Sequence, residues 1–102
     1  MKPLFVLTPS ARADLRDILA DIADDSPSVA TRMRSEILAG FQQLGRSPGI
    51  GHYQEELMDR RHRFWVFYSY VVVYRWEVSP IQIIAVVHGR RELAAFFNSR
   101  SI

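Results

Sequence analysis

The residues able to do chemistry gather in the second half of this 102-residue chain. Arg60, Arg61, His62 and Arg63 are consecutive, Arg75 follows, and His88, Arg90 and Arg91 flank Gly89. Arginine at this density suits phosphate or carboxylate, because its planar guanidinium makes paired, charge-assisted hydrogen bonds. His62 and His88 add groups that titrate near neutral pH and so qualify as general acids or bases. A plainer reading competes with each. An arginine-rich rim is ordinary solvated surface, and histidines at strand ends without a local partner motif are more commonly structural. His52, in a glycine-containing loop, is a weaker candidate.

Other patterns fail on spacing. Glu55 and Glu56 are adjacent and do not give the opposed carboxylates of a glycosidase. Gly49 and Gly51 in SPGIGHY lack the preceding strand and following lysine of a phosphate-binding loop. There is no HExxH, no CxxC and no Ser-His-Asp layout. The absence of cysteine excludes disulfides and thiolate-held metal. No metal and no other cofactor is expected.

These side chains are carried by three runs within residues 63–87, RFWVFYS, YVVVYRWE and IQIIAVV, dense in β-branched and aromatic types. Ser69 and Tyr70 supply the first turn and residues 77–80 the second, and loops this short join antiparallel neighbours. In such a meander the start of the first strand and the end of the second share one end of the sheet. The run at 60–63 and the group around His88 therefore lie at opposite ends unless the first strand runs long.

Upstream, residues 3–8 read as a short edge strand. Thr8-Pro9 and Ser26-Pro27 each place a capping hydroxyl before a proline at the first helical position. The first helix carries Ala11, Leu15, Ile18, Leu19 and Ile22 at helical spacing, with Arg12, Arg16, Asp17 and Asp21 on its other side. The second carries Ala30, Met33, Ile37, Phe41 and Leu44, with Gly45 placed to end it. Residues 47–54 form a loop, with Leu57 and Met58 as anchors, and residues 90–98 are long enough for about two turns of a final helix. The order β-α-α-β-β-β with a short C-terminal helix predicts a two-layer α+β fold. An antiparallel helical pair covers a mostly antiparallel sheet, and residues 1–102 form one domain.

The meander is apolar on both faces. Strict alternation sets Val71 and Val73 against Tyr70, Val72, Tyr74 and Trp76, and Phe64 and Val66 against Trp65 and Phe67. It likewise sets Ile81, Ile83, Ala85 and Val87 against Ile84 and Val86. The helical pair hides one face. The other predicts a cover from the C-terminal tail or from a partner, because large apolar patches are rarely left open on a monomer. Trp65, Phe67, Tyr70, Tyr74, Trp76, Phe96 and Phe97 form the candidate partner-binding set. A base-stacking platform is a further use of such aromatics, although an aromatic strand is more often core.

Charge is uneven. Residues 1–59 carry 6 basic and 9 acidic side chains, net −3, while residues 60–102 carry 7 and 2, net +5, so the sheet half is cationic. No run approaches the roughly 20 apolar residues of a membrane helix, and the opening residues lack a signal-peptide layout. A soluble, cytoplasmic protein is expected.

The opening strand into TPSARADLRDILADIA, the SPGIG that follows the second helix, the Leu57 anchor before RRHRFWVFYSYVVVYR, and above all PIQIIAVVHGRREL resemble the RelE/ParE superfamily of bacterial type II toxins. Within it the pattern looks like the ParE branch. The strand ending in His-Gly-Arg and followed by Arg-Glu-Leu is the most specific piece. The resemblance implies a growth-inhibiting toxin of a plasmid-stabilising type, neutralised in a hetero-oligomer by a ParD-like or similar antitoxin that covers its apolar groove. It implies DNA gyrase as the target, bound without catalysis through Arg60, Arg61, Arg63, His88, Arg90 and Arg91. The RelE branch supplies the alternative, cleavage of messenger RNA on the ribosome, with His62, Arg63, His88, Arg90 and Arg91 as the catalytic set. Two departures count against it: the central strands hold no lysine, and no tyrosine follows Tyr74.

If Arg90 and Arg91 face the target, replacing both by alanine abolishes growth inhibition while antitoxin still co-purifies. Undiminished growth inhibition would remove them from the site.

Overall fold

The computed structural model describes residues 3–53 and 58–89. Strand β1 (Phe5–Leu7) leads into α1 (Pro9–Asp25) and α2 (Pro27–Arg46), then a single 3-10 turn (Pro48–Ile50). Strands β2 (His62–Phe67), β3 (Tyr70–Arg75) and β4 (Ile81–His88) complete the β-α-α-β-β-β order. The expected final helix over residues 90–98 and the Leu57 anchor lie outside the described residues. No described helix is long and apolar enough to cross a membrane.

The helix boundaries follow from the caps. The Thr8 hydroxyl accepts from the Ala11 N–H at 3.2 Å, one of the orphan donors of the first turn, and Pro9 opens α1. Ser26 serves both helices. Its N–H donates to the Ile22 carbonyl at 2.8 Å to close α1, and its hydroxyl accepts from the Val29 N–H at 3.4 Å to open α2. Gly45, contrary to expectation, does not end α2, which runs on to Arg46. A Cβ there would lie 2.5 Å from the Leu4 carbonyl oxygen, so the missing side chain admits the backbone leading into β1 rather than stopping the helix.

The sheet order is β1-β4-β3-β2. β1 adds to β4 in parallel, Phe5 opposite Ile81, while β2, β3 and β4 form the antiparallel meander. The first turn falls at Tyr68 and Ser69, one residue earlier than the sequence suggested, with Tyr68 at φ 54°. Few non-glycine residues take that region. Here the phenol donates to Glu36 Oε2 of α2 at 2.7 Å and the Ser69 carbonyl accepts from the Gly89 N–H at 2.7 Å.

Strict alternation fails in β4. Val73 pairs with Ala85 but Tyr74 with Ile83, so Ile84 is an extra residue, a bulge. Ile81, Ile83 and Val86 consequently join the helix-side core with Phe41, Leu44, Val72 and Tyr74, whereas Ala85 and Val87 turn to the other face. The pattern of hydrophobics could not reveal this, because every residue from Ile83 to Val87 is apolar and satisfies either face.

Both faces hold a cluster of buried side chains. On the second, Phe64, Val71, Val73, Ala85 and Val87 are each 0–6 % exposed, with Met58 packed against them. Val66 and Tyr68, toward the β2–β3 turn, stay exposed.

Tyr74 ties the loop to the sheet. Its buried phenol donates to the Pro48 carbonyl at 2.6 Å and accepts from the Gly51 N–H at 3.0 Å. Tyr74→Phe leaves both groups without their partner and is expected to lower unfolding stability by about 1–3 kcal/mol in urea. A loss below about 0.5 kcal/mol, the scatter of neutral surface changes, would show that the loop does not depend on the phenol.

Candidate functional site

The basic run sits where β2 begins and β3 ends, His62 opposite Arg75. Asp59 organises it. Its Oδ1 accepts from the Arg61 N–H at 3.0 Å and lies 3.0 Å from His62 Nδ1, and its Oδ2 accepts from Arg61 Nε at 3.1 Å and Nη2 at 2.7 Å. These bonds, Arg61 first and His62 second, hold the Asp59 carboxyl far below the usual carboxylate range, and the carboxylate in turn raises the Arg61 guanidinium. With its proton on Nδ1, His62 is oriented by a carboxylate in the manner of a catalytic histidine. Its residue is only 8 % exposed, so little of the ring meets solvent.

Arg63 is not a free cation. Its guanidinium carbon lies 4.3 Å from the centre of the Tyr53 ring and 4.2 Å from that of Trp76. Nη1 donates to the Gly51 carbonyl at 2.8 Å and Nη2 to the Tyr53 hydroxyl at 3.1 Å, while the buried Nε has no partner. Arg60 packs on Tyr53 at 4.3 Å, and its carbonyl accepts from Trp76 Nε1 at 2.9 Å. Cation–π contact of this kind contributes on the order of 1 kcal/mol each. Arg63 is thus a clamp between the 48–53 loop and the sheet, and Arg60 is the outermost layer of the same stack.

His88 is elsewhere. Arg63 is level with Tyr74 and His88 with Tyr70, four residues away along β3, about 13 Å at strand rise. It stacks on Tyr70 with ring centres 5.0 Å apart. The set Arg60, Arg61, Arg63 and His88 therefore does not form one surface, because the strands run with β2 starting at the end opposite to where β4 finishes. Arg90 and Arg91 lie outside the described residues, as do Phe96 and Phe97 of the aromatic set.

The remaining aromatics of that set, Trp65, Phe67, Tyr70, Tyr74 and Trp76, all belong to the helix side of the sheet. Trp65 seats its ring against Gly40 of α2, where a Cβ would collide with it. Tyr74 is fully buried and offers no surface to a partner. Trp65, Phe67, Tyr70 and Trp76 are half-buried around the edge of that core.

A surface that the sequence did not single out lies on the hairpin itself. Between α1, α2 and β1 runs a groove of about 810 Å³ floored by Phe5, Leu7, Leu15, Leu19 and Leu38. Arg12 and Arg16 of α1 and Arg34 of α2 line it as well, all three exposed. The available signal was Leu38, an apolar residue off the α2 stripe, and the alanines Ala20 and Ala23 off the stripe of α1. Together they widen the apolar arc beyond what one sheet face needs. Among the described residues, no group of three or more His, Asp or Glu side chains could hold a metal ion.

The Asp59 geometry carries a pH dependence. A carboxylate whose pKa is depressed by folding stabilises the fold above its unfolded pKa, about 4, and loses that contribution as pH falls further. Melting temperatures followed downward from pH 6 should fall less steeply for Asp59→Asn than for the wild type. Parallel curves would remove Asp59 from the acid response.

Comparison with known proteins agrees with this architecture. No curated protein matches the chain. A family model described as the ParE toxin of type II toxin-antitoxin system, parDE, matches residues 5–93, from the first residue of β1 to beyond the last of β4. Spanning almost the whole length of a chain with this fold, that match places it by membership: the chain belongs to the ParE toxin family of type II toxin–antitoxin systems.

Proposed function

We propose that this toxin inhibits growth by binding DNA gyrase, and that a cognate, ParD-like antitoxin neutralises it in a hetero-oligomeric complex. The reading places the protein in the cytoplasm, where gyrase works. Family membership supports a toxin with an antitoxin partner. What favours binding over RNA cleavage is the disposition of the candidate catalytic residues. A nuclease would gather an acid, a base and a cation around one phosphate. Here Arg63 is held between two rings and two hydrogen bonds, and His88 stands about 13 Å from it along the strand direction. That separation carries the conclusion.

One observation favours the second reading, a ribosome-dependent messenger-RNA endoribonuclease. His62 is aligned by Asp59 at 3.0 Å, as a general base would be.

Purified toxin assayed on gyrase and, separately, in a translating extract discriminates the two. Loss of supercoiling with accumulation of cleaved plasmid DNA is the expected result. Intact supercoiling together with messages cut during translation would replace the gyrase reading by the nuclease one, and His62→Gln would then abolish cutting.

A further inference from the structure

The β2–β3 turn contains a residue that the needs of folding do not explain. Tyr68 sits at φ 54° in the first position of a two-residue turn, where a Cβ is costly and glycine fits without strain. It is also 65 % exposed, the highest value among the exposed large hydrophobic side chains described. The bond that fastens this turn to the end of β4 runs from the Gly89 N–H to the Ser69 carbonyl, main chain to main chain, and calls for no particular side chain at 68. Strain of this kind persists where a residue serves something besides the fold.

The exposed ring is nonetheless held still. Its hydroxyl donates to Glu36 Oε2 at 2.7 Å, and Arg32 Nε stands 4.0 Å from the other carboxylate oxygen. Phe67 meets it edge to face, with ring centres 4.8 Å apart. A side chain fixed before binding loses less freedom on binding, which is the usual property of an aromatic anchor. The turn also adjoins the His88-Gly89 step, which leads in the sequence into Arg90 and Arg91.

The local chemistry narrows the occupant. Glu36 sets a carboxylate against the phenol, which repels a phosphate backbone and raises the phenol's pKa, so the proton stays on oxygen at neutral pH. With that proton given to Glu36, the oxygen can only accept. The matching surface is an apolar cleft with a hydrogen-bond donor inside it, which a protein supplies and a nucleic acid backbone does not.

We propose that Tyr68 is the anchor by which this toxin grips its target, gyrase on the reading above, its ring entering such a cleft on the protein surface of the enzyme. The proposal rests on the gyrase reading, and it adds the residue and the chemistry of the contact.

The test uses the full chain, purified, in a gyrase supercoiling assay. Tyr68→Gly removes the ring and relieves the backbone, so the melting temperature should hold or rise. The concentration giving half-inhibition should increase at least about thirtyfold, as for the loss of an anchor. Tyr68→Phe keeps the ring but frees it from Glu36, and the increase should be about three- to tenfold. Undiminished inhibition by Tyr68→Gly overturns the proposal. A fall of more than about 4 °C in its melting temperature does the same, because the tyrosine then serves the fold. So does concentration-dependent dimerisation of the wild type that Tyr68→Gly abolishes, since a second copy then takes the ring. A wild type inert toward gyrase refutes the gyrase reading, and growth arrest in cells then decides the anchor. Arrest retained by Tyr68→Gly overturns it, and arrest lost upholds it toward a different protein.

Discussion

Strand β4 must satisfy its backbone on both edges, and β1 is too short to do it alone. β1 pairs only with Ile81, Gln82 and Ile83. Beyond them the edge is completed from the start of the helical pair. The Thr8 N–H donates to the Ile83 carbonyl at 3.0 Å, its hydroxyl to the Ile84 carbonyl at 3.4 Å, and the Asp14 carboxylate accepts from the Val86 N–H at 3.0 Å. A buried amide without a partner would cost about 1–3 kcal/mol, so these contacts fix where α1 begins and how it lies on the sheet. The Ile84 bulge falls at this changeover, and it decides which β4 side chains face the helices. The groove between α1, α2 and β1 inherits its position from the same contacts.

Arginine serves three different ends in this small domain. Arg61 is taken up by Asp59 and shapes the turn before β2. Arg63 is stacked and hydrogen-bonded into a clamp, a role lysine could not fill because it lacks the planar fork that meets two ring faces and two oxygens. Arg12 and Arg34 stay open to solvent beside an apolar floor.

A sheet greasy on both sides buries most of its β3 and β4 side chains. On the second face Phe64, Val71, Val73, Ala85 and Val87 are buried, and the aromatics of the first lie beneath or beside the helices. The groove that stays open lies between α1, α2 and β1, where helix side chains spread wider than the sheet they cover.

The sequence by itself determined the element order, both helix starts, the antiparallel meander and the toxin family's pattern. Those depend on local signals: a capping hydroxyl before proline, helical spacing of apolar residues, and loops too short for a crossover. Tertiary structure alone decided that Gly45 admits Leu4 instead of ending α2, that Ile84 is an extra residue, that Arg63 is clamped while Arg12 is open, and that His62 and His88 stand apart. Each of these depends on what a residue meets across the fold. A run of interchangeable apolar residues, or a list of arginines, contains no record of its neighbours in space.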